Sequence, residues 1–159
     1  MNYVFNLSNR LLASIASYQF YRSRTGVLAI VARRIALLRY LFWSVVTGSD
    51  IAPTARLGVR LRLPHPNGVV IHRNAIIGDD CMIMQQVTVG MVGDSGAPII
   101  GSEVYCGSGA KVLGGIRIGD RVWIGANAVV LCDVPDDCTA VGIPARVIRR
   151  SIASEAGLT

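Results

Sequence analysis

From Ile51 onward an aliphatic residue returns every sixth position, and this period constrains the fold more than any other property of the chain. The column reads Ile51, Leu57, Leu63, Ile71, Ile77, Ile83, Val89, Ile100, Cys106, Val112, Ile118, Ile124 and Val130. Glycine commonly follows it, at Gly58, Gly78, Gly90, Gly101, Gly107, Gly119 and Gly125, and a small residue stands four places after it at Ala55, Ala75, Cys81, Ala110 and Ala128. A helix repeats every 3.6 residues and a half-buried strand every two, so neither alone explains a period of six. Six residues make one short strand and a turn. Three such units close a triangular coil of 18 residues, and successive coils stack at the strand spacing of about 4.8 Å. The columns then point inward, with Gly101 under Gly119, Gly107 under Gly125 and Ala110 under Ala128. The expected fold class is mainly β, a parallel β-helix solenoid.

The register slips twice. Leu63 to Ile71 spans eight residues and Val89 to Ile100 spans eleven, so two and five residues must leave the coil. Loops extruded from a rigid solenoid are where function concentrates. The first slip holds His65, in the string LPHPNG; the second, Met91 to Pro98, is rich in Gly, Asp and Ser and is expected to be mobile. After Val130 the string CDVPDDCTAVGIPARVI departs from the repeat, and a short helix or tail is expected from about Arg149. The chain therefore divides into a segment 1–49, a solenoid 50–148 and a tail 149–159.

The first segment differs in kind. Its apolar spacing predicts two helices, Leu7 to about Tyr21 and Gly26 or Val27 to about Val46. It carries Arg10, Arg22, Arg24, Arg33, Arg34 and Arg39 and no acid, whereas the other ten basic residues are balanced by all ten acids, so the net charge of +6 is entirely N-terminal. Such a segment suits an anionic partner, a membrane surface among them, although Arg33, Arg34 and Arg39 do not form one stripe. They also interrupt the apolar run too often for a spanning helix. Overall, 52% hydrophobic and 16% charged residues exclude a disordered or collagen-like chain. Cys81, Cys106, Cys132 and Cys138 lack the paired spacing of a zinc site and read as reduced thiols of a cytoplasmic protein, the first two as buried small hydrophobes.

Only two histidines can serve as a base near neutral pH. Asp50 precedes His65 by 15 residues, nearly one coil, which returns a carboxylate and an imidazole to one corner on adjacent layers. An Asp on one ring nitrogen fixes the tautomer and leaves the other nitrogen free to accept a proton from a hydroxyl or amine. His72 is the rival, in the turn column and pointing outward, with Thr54 rather than an acid one coil before it. Two histidines with scattered cysteines do not present the three ligands that a catalytic zinc requires, so no metal is expected.

The strings DIAPTARLGVRLRLPHPNGVVIHRNAIIGDDCMIMQQVTVG, GSGAKVLGGIRIGDRVWIGANAVVLCDVP and VGIPARVI resemble the serine acetyltransferase group of the hexapeptide-repeat acyltransferases over roughly residues 47 to 148. Within that group the chain looks closest to short members found in polysaccharide gene clusters. The resemblance implies a left-handed parallel β-helix, a trimer, and acetyl-CoA as co-substrate in a cleft between neighbouring coils. It assigns catalysis to His65 as general base, with Asp50 orienting it. It also places Gly90, Gly107, Ser108, Gly109, Ala110, Lys111 and Ala128 along the pantetheine groove, and Arg146, with Arg149 and Arg150, near the CoA phosphates.

Two departures bear on the acceptor. In serine acetyltransferases an acidic residue precedes the catalytic His and an Arg-His pair in the later loop grips the amino acid carboxylate. Here Pro64 precedes His65, and GMVGDSGAPIIG has neither Arg nor His. The expected activity is therefore O-acetylation of a sugar hydroxyl in exopolysaccharide or capsule synthesis, with the acceptor small or lipid-linked. The protein would act in the cytoplasm, with peripheral contact at the inner face of the membrane through residues 1–46, and without nucleic acid. The alternatives are a serine O-acetyltransferase of cysteine synthesis, a non-catalytic β-helix module, and a hydrolytic metal enzyme.

Overall fold

The computed structural model describes residues 2–149, so the expected tail lies almost wholly outside the described residues. Two antiparallel-running helical segments come first, α1 (Asn2–Arg22) and α2 (Val27–Thr47), each slightly longer than the sequence pattern predicts. Gly48 stops α2 in the left-handed conformation, φ 65°, where its N–H returns to the Val45 carbonyl and the Ser49 N–H to that of Ser44. A side chain there would be strained and would strike Asn67. Leu11 and Ile15 of α1, one turn apart, are fully buried in the same core as the first coil. The helix thus closes the N-terminal end of the solenoid, where an open coil would leave its interior in water.

The solenoid has three faces. Face A holds β1 (Asp50–Ile51), β3 (Val70–Ile71), β6 (Thr88–Gly90), β9 (Lys111–Leu113) and β12 (Val129–Val130), and face B holds β2 (Arg56–Leu57), β4 (Ile76–Ile77), β7 (Ile99–Ile100) and β10 (Arg117–Ile118). Face C holds β5 (Met82–Ile83), β8 (Tyr105–Cys106), β11 (Trp123–Ile124), β13 (Cys138–Gly142) and, antiparallel at its end, β14 (Ala145–Arg149). All other pairings are parallel, and the register repeats the sequence arithmetic. Val70 pairs with Thr88 and Lys111 with Val129, steps of 18. Asp50 pairs with Val70, a step of 20, and Ile76 with Ile99, a step of 23, which places the two and five extra residues where the slips predict.

The aliphatic column faces inward as expected. Ile51, Ile71, Ile83, Val89, Ile100, Val112, Ile124 and Val130 are essentially inaccessible, and so are Ala55, Ala75, Cys81, Ala110 and Ala128. Leu57 is the exception, half-buried where the first coil meets α1 rather than another coil. Burying each such aliphatic side chain contributes about 1.5–3 kcal/mol. Cys106 and Cys81 are buried thiols, and burial pushes the Cys106 pKa up to about 12.

After Val130 the chain departs from the six-residue phase while remaining in the solenoid: Ile118 bridges to Val134 and Ile124 pairs with Ala140, steps of 16. This last coil is two residues short, which shifts its inward residues, Val134, Cys138 and Ala140, out of the six-residue phase while still burying them. Before Arg149, β13 folds back into β14, and the helix or tail expected from about Arg149 lies outside the described residues.

Candidate active site

The corner between faces C and A gathers most of the expected site. Reading upward by register, it carries the His65 loop, then Gln85 and Gln86, then Gly107–Lys111, then Ala126–Ala128, and at the top the β13–β14 turn with Arg146 opposite Val141. Four steps at the strand spacing make an edge of about 19 Å. Each layer turns by the same device: Gly68, Gln86, Gly109 and Asn127 all have positive φ, between 56° and 74°. At Gly109 the requirement is double, since a Cβ would also collide with the Asn127 side chain on the layer above. The edge is consequently thin in side chains and rich in accessible backbone.

Asp50 and His65 share its lower end. Asp50 N–H donates to the Val69 carbonyl at 2.8 Å, and Gly68 N–H donates to the Gly48 carbonyl at 2.7 Å, which fastens the His65 loop to the stretch that carries Asp50. Pro66 is buried and anchors that loop, while His65 and Asp50 are exposed. Among the described residues no hydrogen bond joins the two side chains. The Asp50 carboxylate instead acts electrostatically on Tyr40, whose phenol is pushed up first by burial and then by that negative charge.

The remaining expected residues separate into groups. Lys111 Nζ donates to the Gln86 carbonyl at 2.6 Å, bracing two layers of the edge. Ser108 and Gly109 are partly exposed, but Ala110 and Ala128 are fully buried, so they line the inside of the corner and not its surface. Arg146 is exposed at the top. Gly90 is not on this edge: it ends β6 at the far side of face A, beside Leu113. His72 also lies at that far corner, where its Nδ1 accepts the Asn74 N–H at 3.2 Å. The loop Met91 to Pro98 folds back on its neighbours, with Ser95 Oγ donating to the Val92 carbonyl at 2.6 Å and Gly96 against Gly115.

One residue of this edge escaped the sequence reading. Gln85 stands one layer above His65, and its Oε1 is buried with no hydrogen-bond partner among the described residues. An amide oxygen in that state is an acceptor awaiting a donor. The signal was available, because 85 is 65 plus the 20-residue step that the first slip sets.

A parallel β-solenoid of hexapeptide rungs with a histidine loop at one edge defines the class, and the relatives support a hexapeptide-repeat acyltransferase. They are serine acetyltransferases. The chain is 45% identical over 144 residues to the serine acetyltransferase of Synechococcus elongatus, covering 89% of this chain and 56% of that protein. It is 45% identical over 129 residues to that of Mycobacterium tuberculosis, covering 79% and 56%. Among solved structures, soybean serine acetyltransferase superposes with a TM-score of 0.72 at 37% identity, over 86% of this chain and 55% of that one. A serine acetyltransferase in complex with CoA gives 0.69 at 36% identity, over 85% and 55%. No family model matches. The chain spans little more than half the length of the curated relatives it matches, and none of these comparisons links it to polysaccharide gene clusters.

Proposed function

We propose that this chain is an acetyl-CoA-dependent O-acetyltransferase with His65 as general base and Asp50 as the group that orients it. The observation that carries the reading is the shared edge, on which the His65 loop, the Gly107–Lys111 string and Arg146 stand in vertical register. The glycines leave room for a thin pantetheine arm along the backbone, while Lys111 and Arg146 supply cations for phosphates above. The His65 nitrogen removes the acceptor hydroxyl proton as the oxygen attacks the thioester carbonyl. Backbone N–H groups of the edge hold the developing oxyanion, and collapse expels the CoA thiolate, which takes the proton back from the imidazolium. Asp50 stabilises that imidazolium; catalytic hydrogen bonds of this kind commonly tighten only when substrate is bound.

For the acceptor, the relatives favour the hydroxyl of serine over a sugar. They replace the polysaccharide reading as the first one to test. A sugar hydroxyl is kept as a second reading on one observation: the loop Met91 to Pro98 offers Asp94 as its only charged side chain, and Pro64 stands before His65, so neither supplies a cation for the carboxylate of an amino acid. A lipid-linked acceptor and membrane contact belong to this second reading. Their support is the acid-free N-terminal segment; no helix among the described residues is long and apolar enough to cross a membrane. A homotrimer is part of the proposal in either case.

The test is CoA release from acetyl-CoA with L-serine and, separately, with oligosaccharide acceptors. Turnover of serine alone establishes the first reading and turnover of the oligosaccharide alone the second. His65→Ala should lower the rate by about 10²–10⁴-fold while the circular dichroism spectrum stays that of the parent. An unchanged rate in that variant would overturn the base assignment and favour a non-catalytic module.

A further inference from the structure

At the far corner of face A, three arginines from separate stretches of the chain face one cavity. Arg22 ends α1, Arg56 lies in β2 and Arg73 sits in the turn after β3; with Thr54 and Asn74 they line an open cavity of about 700 Å³. The sequence gives no hint of this meeting, because it depends on how α1 docks. Gln19 Nε2, one turn before Arg22, donates to the carbonyls of Pro53 and Ala55 at 3.1 and 2.9 Å, fixing the helix end onto the corner that carries Thr54 and Arg56. On the next layer the Asn74 N–H bond to His72 Nδ1 holds the turn that carries Arg73.

The charges of this cavity are unbalanced. Exposed Arg60 and Arg121 each find a carboxylate, Asp80 at 2.6 Å and Asp137 at 2.7 Å. Among the described residues Arg22, Arg56 and Arg73 have no ion pair or side-chain hydrogen bond. No acid lines the cavity. Three like charges around one opening repel one another, and a multivalent anion relieves that repulsion. Guanidinium forks match phosphate oxygens in bidentate geometry, as carboxylates do also. A carboxylate on a small amino acid does not fit the distance: the Val69–His72 stretch separates this corner from His65, roughly 10 Å of extended chain.

We propose that the Arg22–Arg56–Arg73 cavity is a binding site for the phosphoryl or diphosphoryl group of a phosphorylated ligand, distinct from the edge that carries His65. Calorimetric titration with inorganic pyrophosphate at physiological ionic strength tests it without reference to activity. The parent protein should show saturable binding, R56Q/R73Q should weaken it at least tenfold, and R34Q/R39Q, which removes equal charge from α2, should leave it within twofold. Absence of saturation in the parent, or equal weakening in both variants, overturns the site. A soluble ester and a lipid headgroup share this chemistry. Competition by a hexose phosphate identifies the first, and retention on phosphatidic acid vesicles that R56Q/R73Q abolishes identifies the second; failure of both also overturns the proposal.

Discussion

The solenoid and the helical hairpin solve opposite problems with opposite use of charge and of apolar surface. In the solenoid the acids sit at corners and are employed there: Asp79 accepts the Val59 N–H, Asp120 that of Ser102, Asp133 that of Arg117 and Asp136 that of Asp120, at 2.7–2.9 Å. Asp80 and Asp137 pair with arginines on an adjacent layer. The aliphatic column there points inward, and the exposed apolar side chains, such as Val59, Leu131 and Ile143, lie outside it. In the hairpin no acid exists, and α2 turns its apolar residues outward: Leu28 is 86% exposed, Leu38 66% and Phe42 59%, while Ala36, Tyr40 and Thr47 are the buried ones. A repeating fold satisfies itself layer upon layer, whereas a helix beside it buries one side and leaves the other as an interface.

The largest test of that contrast is a matched pair of substitutions. Ile124→Ala should cost about 2–5 kcal/mol of unfolding free energy, because Ile124 is inaccessible between two coils. Leu38→Ala should change it by no more than about 0.5 kcal/mol. Urea unfolding measures both, and equal losses would mean that the outer side of α2 is covered in solution. Thiol alkylation sharpens the picture of the interior. At neutral pH only Cys132, the exposed thiol, should react in the native protein, with Cys81, Cys106 and Cys138 modified only after unfolding, as mass spectrometry would show. The smallest effect concerns the corner ion pairs. Hydrogen bonding to Arg60 lowers the Asp80 pKa, so the carboxylate contributes stability above its unfolded value of about 4 and loses it as pH falls through the lower folded value. Asp80→Asn should therefore be marginally less stable than the parent at pH 7 and converge with it in acid; exposed pairs of this kind contribute little.

Much of the fold was legible because a period of six leaves few ways to bury the column, and both slips translated directly into the register steps of Asp50 with Val70 and Ile76 with Ile99. The last coil was not legible. Its two missing residues break the phase, and Val134, Cys138 and Ala140 then look like isolated hydrophobes. For the site, spacing placed Asp50 and His65 at one corner within hydrogen-bonding reach, whereas no hydrogen bond joins the two side chains among the described residues. Gln85 was passed over because an amide at a turn reads as polar filler until the layer below it is known. The arginine cavity depends on a long-range contact, Gln19 with the Pro53 and Ala55 carbonyls, that no local pattern encodes.

The reversal of β14 at the end of face C has a consequence for self-recognition. A stack of parallel rungs presents at its top a ready template on which another molecule can continue the ladder, as fibrils do. Here β14, the last strand among the described residues, runs the wrong way for that continuation and carries Arg146 and Arg149 outward. On face C, a copy approaching end-on meets reversed polarity and like charge. The parallel ladder of face C is thereby closed at its upper edge, while those of faces A and B end in strands that keep the common direction.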